Sequence, residues 1–159
     1  VVVTINHRLG ASGLTDFSRV LGGDFADSAN LGIRDIIAAL EWVRDNIARF
    51  GGDPENVTIF GESGGGRKVA MLMAMEPAAG LFDKAVIQSG SGLDAPSKAD
   101  AVALGRELLK NLGIDAGDVD ALAKADARTI LDAQPSMPRS PGAPRGGCSR
   151  DGTLVVAGR

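Results

Sequence analysis

The residues best suited to chemistry are Gly61–Gly65, which have the sequence Gly-Glu-Ser-Gly-Gly and match the pattern G-x-S-x-G. They lie between an apolar run that ends at Phe60 and a segment of helical character that begins near Gly66. A serine at such a strand-to-helix turn is held in a strained conformation that lifts its hydroxyl clear of the sheet. Glycines are expected at Gly61 and Gly65 because side chains there would collide with neighbouring backbone. The pattern predicts that Ser63 is a nucleophile.

The same turn offers a way to stabilise negative charge. When a serine attacks a carbonyl group, the carbonyl oxygen becomes negative and needs hydrogen-bond donors. The amide of Gly64 and the positive end of the following helix would both face that oxygen. We therefore expect Gly64 to supply half of an oxyanion hole.

A phosphate-binding loop is a second interpretation of this glycine-rich segment. Such a loop requires lysine directly after its second glycine and then serine or threonine for magnesium. Here Arg67 comes before Lys68, and Val69 follows it. Glu62 would also place negative charge against the phosphates. The nucleophile is therefore favoured over a nucleotide site, and an ordinary glycine turn is the structural alternative.

Strand-like and helical segments alternate around this turn. Val1–Asn6 is predicted to be a fully buried strand, and a Gly- and Asp-rich loop near a working surface follows over residues 7–29. Apolar residues at helical spacing predict an amphipathic helix that Asn30 caps at its start and that Gly51 ends. The other predicted elements are strands at 57–60 and 84–88 and helices at about 66–75, 97–111 and 126–134. Repeated strand-helix units predict an α/β fold with a mostly parallel sheet and helices on both faces.

Composition narrows the classes of function. The 159 residues are 44% apolar and 23% charged, which suits a globular domain. The net charge of −3 gives no basic face for nucleic acid, and no apolar run approaches the roughly 20 residues of a membrane span. No cluster has metal-ligand spacing, so we predict neither metal nor cofactor. The lone Cys148 does not indicate a compartment, and the localisation stays open.

The two ends of the sequence differ from the rest. The sequence starts at Val1 within a strand pattern, so we expect a truncated start. Residues 135–159 contain four prolines and four arginines but one acidic residue. We therefore expect a partial α/β core over 1–134 and a flexible tail over 135–159. A frame error in the gene is an alternative hypothesis for the tail.

Three long strings resemble the type-B carboxylesterase family, which includes the bacterial para-nitrobenzyl esterases and the cholinesterases. The strings are VVVTINHRLG, NLGIRDIIAALEWVRDNIARFGGDPENVTIFGESGGG and GLFDKAVIQSGS, between Val1 and about Asp94. The resemblance implies the α/β-hydrolase fold, Ser63 as nucleophile and Gly64 as oxyanion-hole donor, although alanine is commoner at the latter position. It also implies that Glu62 is a buried acidic neighbour and that Ser89 supports the triad acid.

The catalytic base is missing from this sequence. In this fold the triad runs in the order serine, acid, histidine, and no histidine follows Ser63. The single histidine, His7, lies upstream, and we expect it to be structural. The resemblance implies that a Gly-Gly oxyanion segment precedes Val1 and that the acid and base lie beyond the other end. We expect the intact protein to hydrolyse a small-molecule carboxylic ester through an acyl-enzyme and the isolated chain to be inactive.

Two other functions stay open. One is a non-catalytic, cholinesterase-like binding module, although such domains commonly lose the nucleophile that Ser63 retains. The other is a peptidase of the same fold, which the spacing of the acid and histidine would distinguish. The sequence does not indicate an oligomeric state.

Overall fold

The computed structural model describes residues 1–90 and 97–134, which form two compact units. Among the described residues, the first unit contains 1–7 and 33–90, and the second contains 8–32 and 97–134. The elements are helices α1 (Gly10–Leu14), α2 (Leu31–Asn46), α3 (Gly64–Leu72), α4 (Lys98–Leu112), α5 (Val119–Lys124) and α6 (Ala127–Ala133), and strands β1 (Thr58–Glu62) and β2 (Lys84–Gln88). The tail predicted over 135–159 lies outside the described residues.

In the first unit, β1 and β2 pair in parallel, with Thr58 opposite Lys84 and Glu62 opposite Gln88. Parallel neighbours need a crossover connection, and α3 provides it while packing against both strands. Asp83 precedes β2 and accepts a hydrogen bond from the Val57 backbone at 2.7 Å, which fixes the start of the pair. The predicted strand-helix-strand unit is confirmed.

The amphipathic helix predicted before β1 is also confirmed. α2 continues into a 3-10 turn, Ile47–Phe50, and the chain then reverses at Gly51, whose φ of 78° favours glycine. The buried apolar residues recur at the predicted spacing: Ile33, Ile37, Leu40, Val43 and Ile47. Asn30, the predicted cap, lies directly before Leu31, the first residue of α2, and is also the last residue of a short 3-10 turn, Ser28–Asn30.

The segment Val1–Asn6 is a correction, because the structure assigns it to no strand. Val1 and Val2 are 74% and 76% exposed, and the sheet of the described residues contains β1 and β2 only. An apolar, β-branched pattern measures a tendency to be buried, whereas a strand also needs a neighbour for its backbone hydrogen bonds. The prediction of a fully buried strand is therefore wrong for the described structure.

The second unit is helical, and it corrects the prediction of a loop over 7–29. That segment contains α1 and contributes Phe17 and Leu21 to a core shared with α4. Gly105 lets the two meet, since a Cβ there would lie 2.4 Å from the Asp16 carbonyl oxygen. The core consists of Ala11, Phe17, Val20, Leu21, Val102, Leu108, Leu109 and Ala133. The apolar residues of this segment have no regular spacing, so this packing was not predicted.

The last helices of this unit agree with the sequence in part. α6 matches its prediction, and Asp126 caps it by accepting from the backbone of Arg128 and Thr129. α5 was not predicted, because its six residues are too few to show a period. Every described helix is too short or too polar to span a bilayer.

Candidate active site

Ser63 lies at the turn between β1 and α3, as predicted. Its φ of 51° and ψ of −112° are strained for a residue with a side chain. The backbone is held on both sides, since Ser63 N donates to the Gln88 carbonyl at 2.8 Å and the Ser63 carbonyl accepts from Arg67 N at 3.1 Å. Ser63 is exposed, and its side chain makes no capping hydrogen bond. The hydroxyl is thus presented to solvent by a fixed backbone.

The glycines around this turn are not equivalent. A Cβ at Gly61 would lie 2.4 Å from the Gly65 carbonyl carbon, so Gly61 must lack a side chain, as expected. A Cβ at Gly65 would meet nothing within 4 Å. The collision expected at Gly65 is therefore not found, because that position faces open space.

Two further glycines that lie close to backbone were not predicted from the sequence. A Cβ at Gly90 would lie 2.0 Å from the Ser63 carbonyl oxygen, and one at Gly66 would lie 3.1 Å from the Gln88 carbonyl oxygen. The turn that follows β2 therefore presses against the turn that follows β1. The available signal was the glycine shortly after the second strand, because parallel neighbouring strands end at the same edge of a sheet.

Gly64 is the first residue of α3, so its amide has no acceptor within the helix. Its carbonyl accepts a hydrogen bond from Lys68 Nζ at 3.2 Å. A Cβ at Gly64 would meet only that ammonium group, at 3.8 Å, so alanine would fit as well. An amide with no acceptor in its own helix, at the positive end of that helix and next to a serine hydroxyl, is suited to stabilising an oxyanion.

Glu62 and Ser89 lie at the ends of the paired strands. The burial expected for Glu62 is not seen, because it shares an exposed face of β1 with Phe60, which is 63% exposed. Val86, opposite Phe60, is 46% exposed, so this face is open among the described residues. Ser89 is exposed and also has a positive φ, 52°. Gly90, directly after it, connects it to the Ser63 turn.

His7 lies in the first unit and is half-buried. Both of its ring nitrogens are buried without a hydrogen-bond partner among residues 1–90 and 97–134. Burial lowers the pKa of His7, the nearby Lys68 ammonium lowers it further, and Asp35 opposes the shift. Burial and the Lys68 charge therefore favour the neutral imidazole. Among the same described residues, no group of three potential metal ligands occurs.

Comparison with known proteins supports the resemblance. A sequence model of the carboxylesterase family matches residues 1–149. Para-nitrobenzyl esterase of Bacillus subtilis (strain 168) is 46% identical over 133 residues, which are 84% of this chain and 26% of that protein. Neuroligin-2 of Mus musculus is 38% identical over 137 residues, covering 83% of this chain and 16% of that protein.

The crystal structure of the carboxylesterase of Geobacillus stearothermophilus at pH 6.2 is similar in fold. It superposes with a TM-score of 0.85 at 41% identity, covering 94% of this chain and 31% of that one. The predicted α/β-hydrolase fold is confirmed, in partial form. The chain spans about a quarter of the length of the para-nitrobenzyl esterase that it matches. The match to the family model over most of its length shows that the chain belongs to the carboxylesterase family.

Proposed function

We propose that the protein carrying this chain is a serine carboxylic-ester hydrolase and that Ser63 is its nucleophile. The observation that carries the proposal is the strained Ser63 backbone, with φ 51° and ψ −112°, directly at the start of α3. Strain of this kind costs about 1–3 kcal/mol and persists only where the surroundings impose it. A turn that needed only to connect a strand to a helix would use glycine there. Membership of the carboxylesterase family supports the same assignment.

The proposed reaction has two halves. Ser63 Oγ attacks the ester carbonyl carbon while a base accepts its proton, and the amide of Gly64 stabilises the resulting oxyanion. The bond to the alcohol then breaks, and the alcohol leaves with a proton from the base. Water attacks the acyl-enzyme, which releases the acid and restores the hydroxyl. Gly61 supports the attack by allowing the turn that holds Ser63 to close. Ser89 supports the triad acid.

The remaining site assignments belong to the same proposal. Glu62 contributes as the acidic neighbour of the nucleophile, and Gly65 is the second glycine of the pattern, at a position where the described residues leave room for a methyl group. Residues 1–134 contribute part of the hydrolase core, and 135–159 form its tail. The substrate is a small-molecule carboxylic ester, and nucleic acid is not a partner. Because no histidine follows Ser63 in this sequence, the isolated chain has no triad base and is inactive.

Hydrolysis of para-nitrophenyl acetate by the full-length gene product tests this function. We expect Ser63→Ala to lower kcat by at least about a thousandfold, because the nucleophile cannot be replaced by solvent. Gly65→Ala is the matched control, since its added methyl group meets open space, and it should retain activity. Equal kcat values for the wild type and Ser63→Ala would overturn the proposal. For the isolated chain, an alcohol burst that Ser63→Ala removes would overturn its inactivity while supporting the nucleophile.

The similarity to neuroligin-2 favours a second candidate, a non-catalytic binding module of the same fold. The retained serine in its strained turn argues against this candidate. The two differ in what Ser63 does: in a binding module, Ser63→Ala would leave all functions unchanged. A full-length product that is folded, yet has no hydrolytic activity that depends on Ser63, would support the module.

A further inference from the structure

The first turn of α3 consists of glycine. Gly64, Gly65 and Gly66 are the first three residues of the helix. Glycine loses more backbone freedom on entering a helix than any other residue, so three in succession make a weak start to a helix. The side chain of Ser63, the residue before the helix, makes no capping hydrogen bond. The Gly64 amide, the proposed oxyanion donor, therefore belongs to a turn whose own residues favour a helix only weakly.

The side chain of Lys68 reaches back to this turn. Its Nζ donates a hydrogen bond to the Gly64 carbonyl oxygen at 3.2 Å. Side chains on a helix lean toward its N-terminus, and residues four apart lie on the same face, so the position of Lys68 in the sequence favours this contact. The same ammonium group lies 3.8 Å from the point that a Cβ of Gly64 would occupy. A cation is thus bound to the first residue of the helix.

This place is unfavourable for a cation if only the helix is considered. The N-terminal end of a helix carries partial positive charge, which favours acidic side chains and disfavours basic ones. A sequence that had only to stabilise the start of a helix would place aspartate, glutamate, serine or threonine there. The first turn of α3 has no acidic residue, and the half-buried Lys68 folds back against it instead. The contact therefore indicates a role beyond helix stability.

We propose that Lys68 is a positioning residue for the oxyanion hole, an inference that rests on the proposed functions of Ser63 and Gly64. In an α-helix the Gly64 carbonyl accepts from the amide four residues along the chain, and the Lys68 ammonium is a second donor to the same oxygen. Two donors restrict the torsions of a residue that has no side chain to limit them. The Gly64 amide is thereby held toward the carbonyl oxygen that becomes negative when Ser63 attacks.

The hydrogen bond from Lys68 should affect the transition state more than the bound ester. An oxyanion accepts stronger hydrogen bonds than a neutral carbonyl oxygen, so a misaligned donor costs more once charge has developed. In the full-length gene product, we expect Lys68→Met to lower kcat for para-nitrophenyl acetate by about 3- to 10-fold and to change KM less than about twofold. Lys68→Arg keeps a cationic donor and should recover most of kcat. Lys84→Met removes the same charge at the far end of the strand pair and should change neither constant.

A tetrahedral adduct distinguishes positioning from a general structural role. The probe is phenyl trifluoromethyl ketone: Ser63 Oγ adds to its ketone carbon, the serine proton passes to the base, and the ketone oxygen becomes an oxyanion. We expect Lys68→Met to weaken inhibition by the same factor by which it lowers kcat. A variant that was only less stable would contain less active enzyme, and the inhibition constant of the remaining enzyme would equal that of the wild type. An unchanged inhibition constant would therefore overturn the positioning role.

The part played by glycine is tested by repeating the comparison in a Gly64→Ala background. The described residues leave room for this methyl group, and alanine restricts the backbone, so the turn should depend less on the contact with Lys68. We expect Lys68→Met to lower kcat by less than about twofold in this background. An equal decrease in both backgrounds would show that the ammonium acts through its charge alone, and it would overturn the proposal that Lys68 positions Gly64.

Failure of this inference can be told apart from failure of the proposed function. If Ser63→Ala abolishes hydrolysis but Lys68→Met keeps the kcat of the wild type, Ser63 is the nucleophile and the role of Lys68 is refuted. Equal decreases for Lys68→Met and Lys84→Met would assign the effect to net charge and refute it as well.

Hydrolysis that persists in Ser63→Ala would refute the proposed function instead. Hydrogen exchange in the 159-residue chain then tests the contact itself, at the Arg67 amide, which donates to the Ser63 carbonyl at 3.1 Å at the start of α3. We expect Lys68→Met to speed exchange of this amide by at least about threefold, because the first turn of the helix opens more often. Unchanged exchange would show that Lys68 does not hold the turn.

Discussion

Ser63 and Ser89 occupy similar turns with different surroundings. Each follows one strand of the parallel pair, and their φ values are 51° and 52°. Ser63 leads directly into α3, and Gly90 lies close against its carbonyl oxygen. Ser89 instead supplies the turn that places Gly90. A strained serine is thus not sufficient to mark a nucleophile, and the helix that follows makes the difference.

The largest loss of stability is expected where the turn after β2 touches the turn after β1. Gly90→Ala would place a Cβ 2.0 Å from the Ser63 carbonyl oxygen, and the backbone of one turn must shift. We expect the free energy of unfolding to fall by about 2–3 kcal/mol, as in overpacked sites. Urea unfolding of the 159-residue chain measures it. Gly65→Ala is the control and should change stability by less than about 0.5 kcal/mol. Equal effects would contradict the close packing of the turns.

Gly61→Ala should have the next largest effect, because its Cβ would lie 2.4 Å from the Gly65 carbonyl carbon within the Ser63 turn alone. We expect a loss of about 2 kcal/mol and, in the full-length protein, a lower kcat for para-nitrophenyl acetate. Gly64→Ala adds a methyl group in the same turn, where only Lys68 Nζ lies nearby. This variant should keep both the stability and the kcat of the wild type. A stable, active Gly61→Ala variant would show that the turn does not need this glycine.

Relief of backbone strain should raise stability by a smaller amount. Glycine tolerates the φ of 51° and ψ of −112° found at Ser63, so Ser63→Gly should increase the free energy of unfolding by about 1 kcal/mol after its entropic cost. Ser89→Gly should also stabilise the chain. Only the first substitution should abolish esterase activity of the full-length protein. Thermal unfolding measures the change in stability, and hydrolysis rates measure the change in activity. If Ser63→Gly destabilised the chain, the backbone at Ser63 would not be strained.

The smallest expected effect is the dependence of stability on pH. The pKa of His7 is lowered from 6.5, chiefly by burial, so the unfolded chain binds a proton more readily than the folded one. The stability contributed by neutral His7 is therefore present above pH 6.5 and is lost as pH falls below it. Carboxyl groups titrate near about 4, which leaves this window to the imidazole. We expect unfolding midpoints to decrease between pH 7 and 5.5 in the wild type and to decrease less in His7→Gln.

Much of the scaffold could be predicted from local patterns. The bounds of β2 matched because Asp83 and the Ser89 turn delimit a short apolar run, and α2 matched because its buried residues keep a helical period up to Gly51. Val1–Asn6 failed because pairing depends on a neighbour that its own residues do not encode. Gly65 was expected to exclude a side chain but faces open space, and the close approach of Gly90 to Ser63 was not predicted. The contact of Gly90 is with another part of the chain, so sequence position alone could not reveal it.

The central claim, that Ser63 is the nucleophile, is tested most directly by trapping the acyl group. The full-length gene product is mixed with para-nitrophenyl acetate, quenched in acid within one turnover, digested and analysed by mass spectrometry. We predict one acetyl group on the peptide that contains Ser63, an unchanged result for Ser89→Ala, and no acetylation at this site for Ser63→Ala. Acetylation confined to another residue, or hydrolysis that proceeds equally in Ser63→Ala, would contradict the account.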